Sequence, residues 1–163
     1  MPQEAHEPRL QRFKQAQSGS GFESALAEIQ TGCKQGHWIW YVFPQLSGLG
    51  MSGLSQQYGI RDLAEAMEYL HDPVLCSRLL AITTAVAEQT SQGVSLATLM
   101  GSTIDVLKLV SSLTLFGNVA KRMYSVDGME THGALARIAG EVLAVATSEG
   151  YQPCGYTLTR ISS

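Results

Sequence analysis

Two features of the sequence predict an all-α fold, a single compact domain of six to eight helices around one buried central helix. Apolar residues recur at three-and-four spacing through 60–70 and again through 104–123, the periodicity of a helix with one or more packed faces. Helix punctuation is frequent: Asp72-Pro73 supplies a capping carboxylate followed by a proline suited to a first turn, and Gly32 and Gly101 stand where helices would close. Less than a tenth of the chain is expected in strands.

In chain order, residues 1–7 read as a loose tail. Leu10, Phe13 and Ala16 form the apolar stripe of a short helix that ends in the Ser18–Gly21 turn. A second helix covers Phe22–Thr31, with Phe22, Ala25, Leu26 and Ile29 on one face. The run Gly36–Phe43 is a third helix or, by periodicity alone, a buried strand; Pro44 closes either version, because it removes a donor and disfavours helical geometry at Phe43. Gly48, Gly50 and Gly53 spell G-x-G-x-x-G, but 44–47 separate them from the preceding apolar run and no βαβ units follow, so a dinucleotide fold is not predicted. Further helices are expected over Ile60–Leu70, Val74–Gln89 behind the Asp72 cap, Ser95–Met100, Ile104–Met123 behind Ser102 or Thr103, and His132–Ser148. The helix from Ile104 carries apolar residues around nearly its whole circumference and is therefore the central one. Residues 151–163 are expected to be a loosely packed tail.

Composition narrows the functional classes. A chain of 163 residues with 45% hydrophobic and 15% charged residues can bury one substantial core. A net charge of -3 without a Lys/Arg cluster argues against duplex nucleic acid and anionic membrane surfaces as partners. Cys33, Cys76 and Cys154 have neither CxxC spacing nor an even count, so they are expected to be reduced thiols in a cytoplasmic protein. No histidine, cysteine or carboxylate cluster has ligand spacing, and neither a metal nor another cofactor is expected.

Several long stretches carry a family resemblance: RFKQAQ at 12–17, GCKQGHWIWYVFPQLSGLGMS at 32–52, SQQYGI at 55–60, EAMEYL at 65–70 and DVLKLVSSLTLF at 105–116. In them the chain resembles the DUF1810 family, also called Rv1873-like. The resemblance implies a small all-α fold, favours helix over strand for the aromatic run, and implies no activity. The chain departs from the family pattern at Cys33, where a basic residue is usual, at Val110, which replaces an arginine, and at Cys154, which stands in place of an aspartate.

The candidate site is organised around 34–59, where Trp38, Trp40, Tyr41 and Phe43 draw polar neighbours toward the core. On a helix, Lys34, His37 and Tyr41 would share a stripe. Asp105, Lys108 and Ser112 form a polar line on the otherwise apolar central helix, and a charge in such a place must pair or open to a cleft. If the two segments meet, His37, Asp105 and Lys108 are the candidate catalytic groups, His37 as acid or base. Lys34, Trp38, Gln45, Ser55, Tyr58 and Ser112 would bind ligand, with Trp40 adding a stacking surface. The expected ligand is a small, flat anion such as a nucleotide or ADP-ribose derivative, bound or hydrolysed. The alternative is a non-catalytic helical interaction module in which the aromatics are core and the charges surface.

Overall fold

A computed structural model describes residues 2–162, with side chains from Arg9 onward. Among the described residues there are ten helices and no named strand: α1 Pro2–Gln17, α2 Gly21–Thr31, α3 Ile39–Val42, α4 Gly53–Tyr58, α5 Leu63–His71, α6 Pro73–Ser91, α7 Leu96–Met100, α8 Thr103–Asp127, α9 Glu130–Ser148 and α10 Gly155–Ile161. The all-α class is as the sequence predicts. The count exceeds six to eight because two short helices, α4 and α10, form where the sequence reads as loop and tail.

Helix α8 is the centre. It forms a hairpin with α9 through Gly128, whose φ of 65° closes α8, and it also touches α5, α7, α10 and α3, while α6 lies on α9 and α2 lies on α6. From Leu109 to Phe116 every residue of α8 is buried. Among the described residues α8 alone is long and apolar enough to cross a membrane, and most of that apolar stretch is packed inside the fold. Its first two turns differ: Ile104 and Leu107 are 63% and 54% exposed, so the apolar circumference is uncovered at that end.

The caps explain the boundaries. Asp72 accepts hydrogen bonds from the N–H groups of Val74 and Leu75 with Pro73 at the first turn, Ser102 accepts from Asp105 N–H, and Gly32 closes α2 at φ 100°. Helix α4 starts on Ser52, whose hydroxyl accepts from Ser55 N–H.

Three expectations need correction. Helix α1 begins at Pro2, so 2–7 are helical rather than a loose tail. Of the 151–163 tail, Ser163 lies outside the described residues and 151–162 are not loosely packed either, since α10 puts Thr157 and Ile161 into the core and Tyr156 Oη donates to Ser47 O at 2.8 Å. The aromatic run is one helical turn, α3, rather than a helix from Gly36 to Phe43. Lys34 and His37 precede that turn, so they share no helical stripe with Tyr41.

Around α3 the chain is tied at both ends. Lys34 N–H donates to Leu99 O at 2.7 Å, fixing the segment beside α7. Beyond Pro44, Leu46 and Ile60 form an isolated parallel bridge, with Ser47 N–H donating to Ile60 O and Ile60 N–H to Gln45 O, both at 2.8 Å. That bridge pinches 47–59 into a closed loop carrying α4. Glycine is required at its neck: a Cβ on Gly59 would lie 2.5 Å from Ser47 Oγ and 2.9 Å from Ser55 O.

Candidate functional site

The aromatic segment and the start of α8 enclose a cavity of ≈ 380 Å³. Trp40, Leu49, Gly50 and Val110 wall it, with Ile104 and Leu107 at its exposed end, and its polar groups are Gln45, Ser55, Lys108, Ser111, Gln152 and Cys154. Lys108 is the single charged residue in the lining. Its ammonium lies 3.7 Å from the centre of the Trp40 ring, a cation–π contact that fixes both groups against one wall.

Behind Lys108 lies an ion cluster. Asp105 Oδ2 is 2.8 Å from Lys34 Nζ, and its Oδ1 is 3.6 Å from Lys108 Nζ. Lys34 is the more buried lysine, with 5% of its side chain exposed, and it also donates to Gly36 O. A partly buried carboxylate beside an apolar core needs a close partner, and Lys34 supplies it. Lys108 is therefore left with its charge available to the cavity, and the three groups together carry one net positive charge.

Glu28, on α2, holds the backbone that delivers Lys34. Its Oε1 accepts from Gln35 N–H at 2.7 Å, Gly36 N–H at 2.9 Å and the Trp38 indole N–H at 2.8 Å. Partial burial alone would raise this carboxyl, but those three donors and the nearby Lys34 charge outweigh it and hold Glu28 below its ordinary value.

The nine sequence-derived site residues divide clearly. Gln45, Ser55 and Lys108 line the cavity. Asp105 and Lys34 sit behind it as the ion pair. Trp38 is core, 3% exposed, bonded to Glu28 and not in the lining. Tyr58 stacks with Phe13 and Tyr41 in a separate aromatic cluster, at centroid distances of 6.0 and 5.6 Å. Ser112 is wholly buried and its hydroxyl makes no hydrogen bond among the described residues. His37 is exposed and outside the lining. His132, expected at a helix start, is in fact buried, with Nδ1 2.9 Å from Asp127 Oδ2 and Nε2 3.2 Å from Leu70 O.

What the sequence did not single out is the far wall, Ser111, Gln152 and Cys154. The Cys154 thiol would be raised by its partial burial, yet the Ser111 and Thr157 hydroxyls and the N–H groups of Thr157 and Tyr156 outweigh this and lower it, with Thr157 Oγ1 at 3.2 Å. Of the three positions that the resemblance singles out as departures, Val110 and Cys154 both line this cavity. The third, Cys33, is exposed and lies elsewhere. All three cysteines are free thiols, and no group of three metal-ligating side chains occurs among the described residues.

Residues 7–132 match the family described as a protein of unknown function, DUF1810. The chain belongs to the DUF1810 family. The crystal structure of the conserved hypothetical protein Rv1873 from Mycobacterium tuberculosis has the same fold as this DUF1810 chain: the TM-score is 0.74 at 34% identity, over 94% of this chain and 96% of that one. No curated protein matches. The part of the cavity built from Trp40 to Ser111 lies inside the matched region, whereas Gln152 and Cys154 follow it, so this DUF1810 domain completes its cavity with a wall that the family match does not include.

Proposed function

We propose that the Trp40 cavity binds a small, flat, anionic ligand, the class to which nucleotides and ADP-ribose derivatives belong. The observation that carries the reading is the Lys108 ammonium poised over the Trp40 ring in a lining that contains no carboxylate. A planar group would lie among Trp40, Leu49 and Leu107, its anionic end on Lys108, with the amides of Gln45 and Gln152 and the hydroxyls of Ser55 and Ser111 fixing orientation. The cavity's ≈ 380 Å³ suits one ring system with a short substituent, so a nucleotide or ADP-ribose derivative would seat one end of the molecule there. Binding is favoured over hydrolysis because His37, the candidate base, is outside the lining.

Trp40 fluorescence reports the test. Nucleoside monophosphates and aromatic carboxylates, titrated singly, should include a ligand that quenches Trp40 saturably and raises the melting temperature. Lys108→Met should weaken that ligand at least tenfold, about 1.4 kcal/mol. A panel that leaves both signals unchanged, or a ligand indifferent to Lys108→Met, defeats the proposal. The second reading, a helical interaction module, is favoured by one feature: Ile104 and Leu107 are exposed apolar side chains at the cavity mouth. Its mark would be a partner whose affinity falls in Leu107→Asp and is unaffected by Lys108→Met.

A further inference from the structure

A second cavity, of ≈ 440 Å³, shares no lining residue with the first. Four separate stretches meet there: Arg9 and Arg12 from α1, Ser47 at the neck of the loop, Gln56 and Gln57 from α4, and Arg61 just before α5 with Glu65 in its first turn. Glu65 anchors them. It is 2% exposed, and its Oε1 accepts from Arg12 Nη2 and from Arg61 N–H, each at 3.0 Å, while Oε2 lies 3.5 Å from Arg9 Nε. Arg12 is tied further, donating from Nε to Gln57 O at 2.8 Å and from Nη2 to Gly59 O at 2.9 Å. Its charge answers the buried carboxylate and its donors close the neck of the 47–59 loop, so Arg12 is a structural group.

Arg61 is different. Only its backbone N–H serves Glu65; its guanidinium is exposed and makes no ion pair or hydrogen bond among the described residues. Arg61 also lines an adjoining cavity of ≈ 260 Å³, which it shares with Arg160 and Asp62. Arg160 stacks on the Tyr156 ring at 3.3 Å, and Tyr156 is itself held by its bond to Ser47 O, so this second guanidinium is also held in place. Among the described residues Arg12, Arg61 and Arg160 thus bring three guanidinium groups to the two adjoining hollows against two carboxylates, Glu65 and Asp62, and Asp62 already accepts from Glu65 N–H as the α5 cap. On a protein of net charge -3 this is a local reversal of sign inside a concavity, which focuses the field on an incoming anion.

We infer that the Arg61 hollow is an oxyanion site for inorganic phosphate or the phosphoryl group of a small phosphate monoester. Arg61 grips two oxygens of the tetrahedral group as a fork. Arg160 supplies a second positive wall, and the Ser47 hydroxyl and Gln56 and Gln57 amides solvate the remaining oxygens. A planar monocarboxylate uses one fork and leaves the second wall unmatched, so a dianion is the better fit. The inference does not depend on the Trp40 cavity.

Calorimetric titration of the whole chain with inorganic phosphate and with glycerol 3-phosphate, ionic strength held constant with sodium chloride, tests it. One saturable site is expected, weakened at least tenfold in Arg61→Gln and less in Arg61→Lys, which keeps the charge but loses the fork. Arg61→Gln keeps the backbone N–H on Glu65, so its circular dichroism should match wild type; if it does not, Arg160→Gln gives the same reading from the other wall. Tighter binding of glycerol 3-phosphate identifies a monoester site, and equal binding a phosphate site. Absence of saturable binding of both probes overturns the inference, as does binding unchanged in Arg61→Gln and Arg160→Gln or lost instead in Lys108→Met.

Discussion

Glu28 is the residue whose removal should be most informative about how the Trp40 cavity is held together. A single oxygen, Oε1, gathers three N–H donors from the 35–38 turn. Hydrogen bonds to a charged acceptor contribute about 1.5–3 kcal/mol each. Two of the three donors, Gln35 N–H and Gly36 N–H, sit where water can replace the carboxylate, whereas the Trp38 indole is buried. Glu28→Ala should therefore cost about 3 kcal/mol, more than one such bond and well short of three. Glu28→Gln keeps an acceptor of the same shape and should cost about 1 kcal/mol, the difference between charged and neutral bonds. Urea midpoints at constant slope measure both. A loss below about 0.5 kcal/mol in Glu28→Ala would show that the turn is held by something else.

Acid supplies an independent check on the same residue. The folded carboxyl lies below its ordinary value of 4.5, because its three donors and Lys34 outweigh burial. A depressed carboxylate contributes stability that is fully present above 4.5 and is lost as the pH falls through the folded value. The stability gap between wild type and Glu28→Gln should be flat from neutrality down to that point and close below it. A gap that persists or widens in acid refutes the assignment.

Lys34→Met should destabilise by about 2 kcal/mol by leaving the partly buried Asp105 with only the more distant Lys108, and adding Asp105→Asn should recover most of the loss; Lys108→Met should cost under about 1 kcal/mol. The reverse order in urea unfolding would mean that Lys108 is the structural partner. Trp38→Ala should cost about 3–5 kcal/mol and Trp40→Ala distinctly less, because Trp40 is half-buried against an open cavity; equal losses would show that the cavity is filled in solution. In a Cys33→Ser background, alkylation of Cys154 should have a pH midpoint below the ordinary thiol value of 9.0, and Ser111→Ala should move it upward. A midpoint at or above 9.0 that ignores Ser111 removes the donor set from the argument.

The elements were legible where one local signal decided them, and the site was legible only where its placement did not depend on one uncertain element. Asp72-Pro73 fixes the start of α6 because cap and proline act within one turn, and Gly32 ends α2 for the same reason. Helix α4 was hidden because Gly48, Gly50 and Gly53 outweigh a single capping serine, and what holds α4 is the long-range bridge between Leu46 and Ile60. Gln45 and Lys108 emerged as lining residues because a proline exit and a polar position on an apolar helix are both local facts. The position of His37 does not follow from an eight-residue helix, because only Ile39–Val42 are helical and the direction of a side chain outside a helix does not follow from spacing. The apolar circumference of α8 hides the same ambiguity. The all-round pattern that buries Leu109–Phe116 also runs through Ile104 and Leu107, where nothing covers it. Hydrophobic patterning reports what a residue would prefer to touch, while coverage depends on how far the neighbouring elements reach. At the start of α8 they stop short, and the uncovered apolar turns, with Lys108 one position beyond Leu107, are what make a cavity out of a core helix.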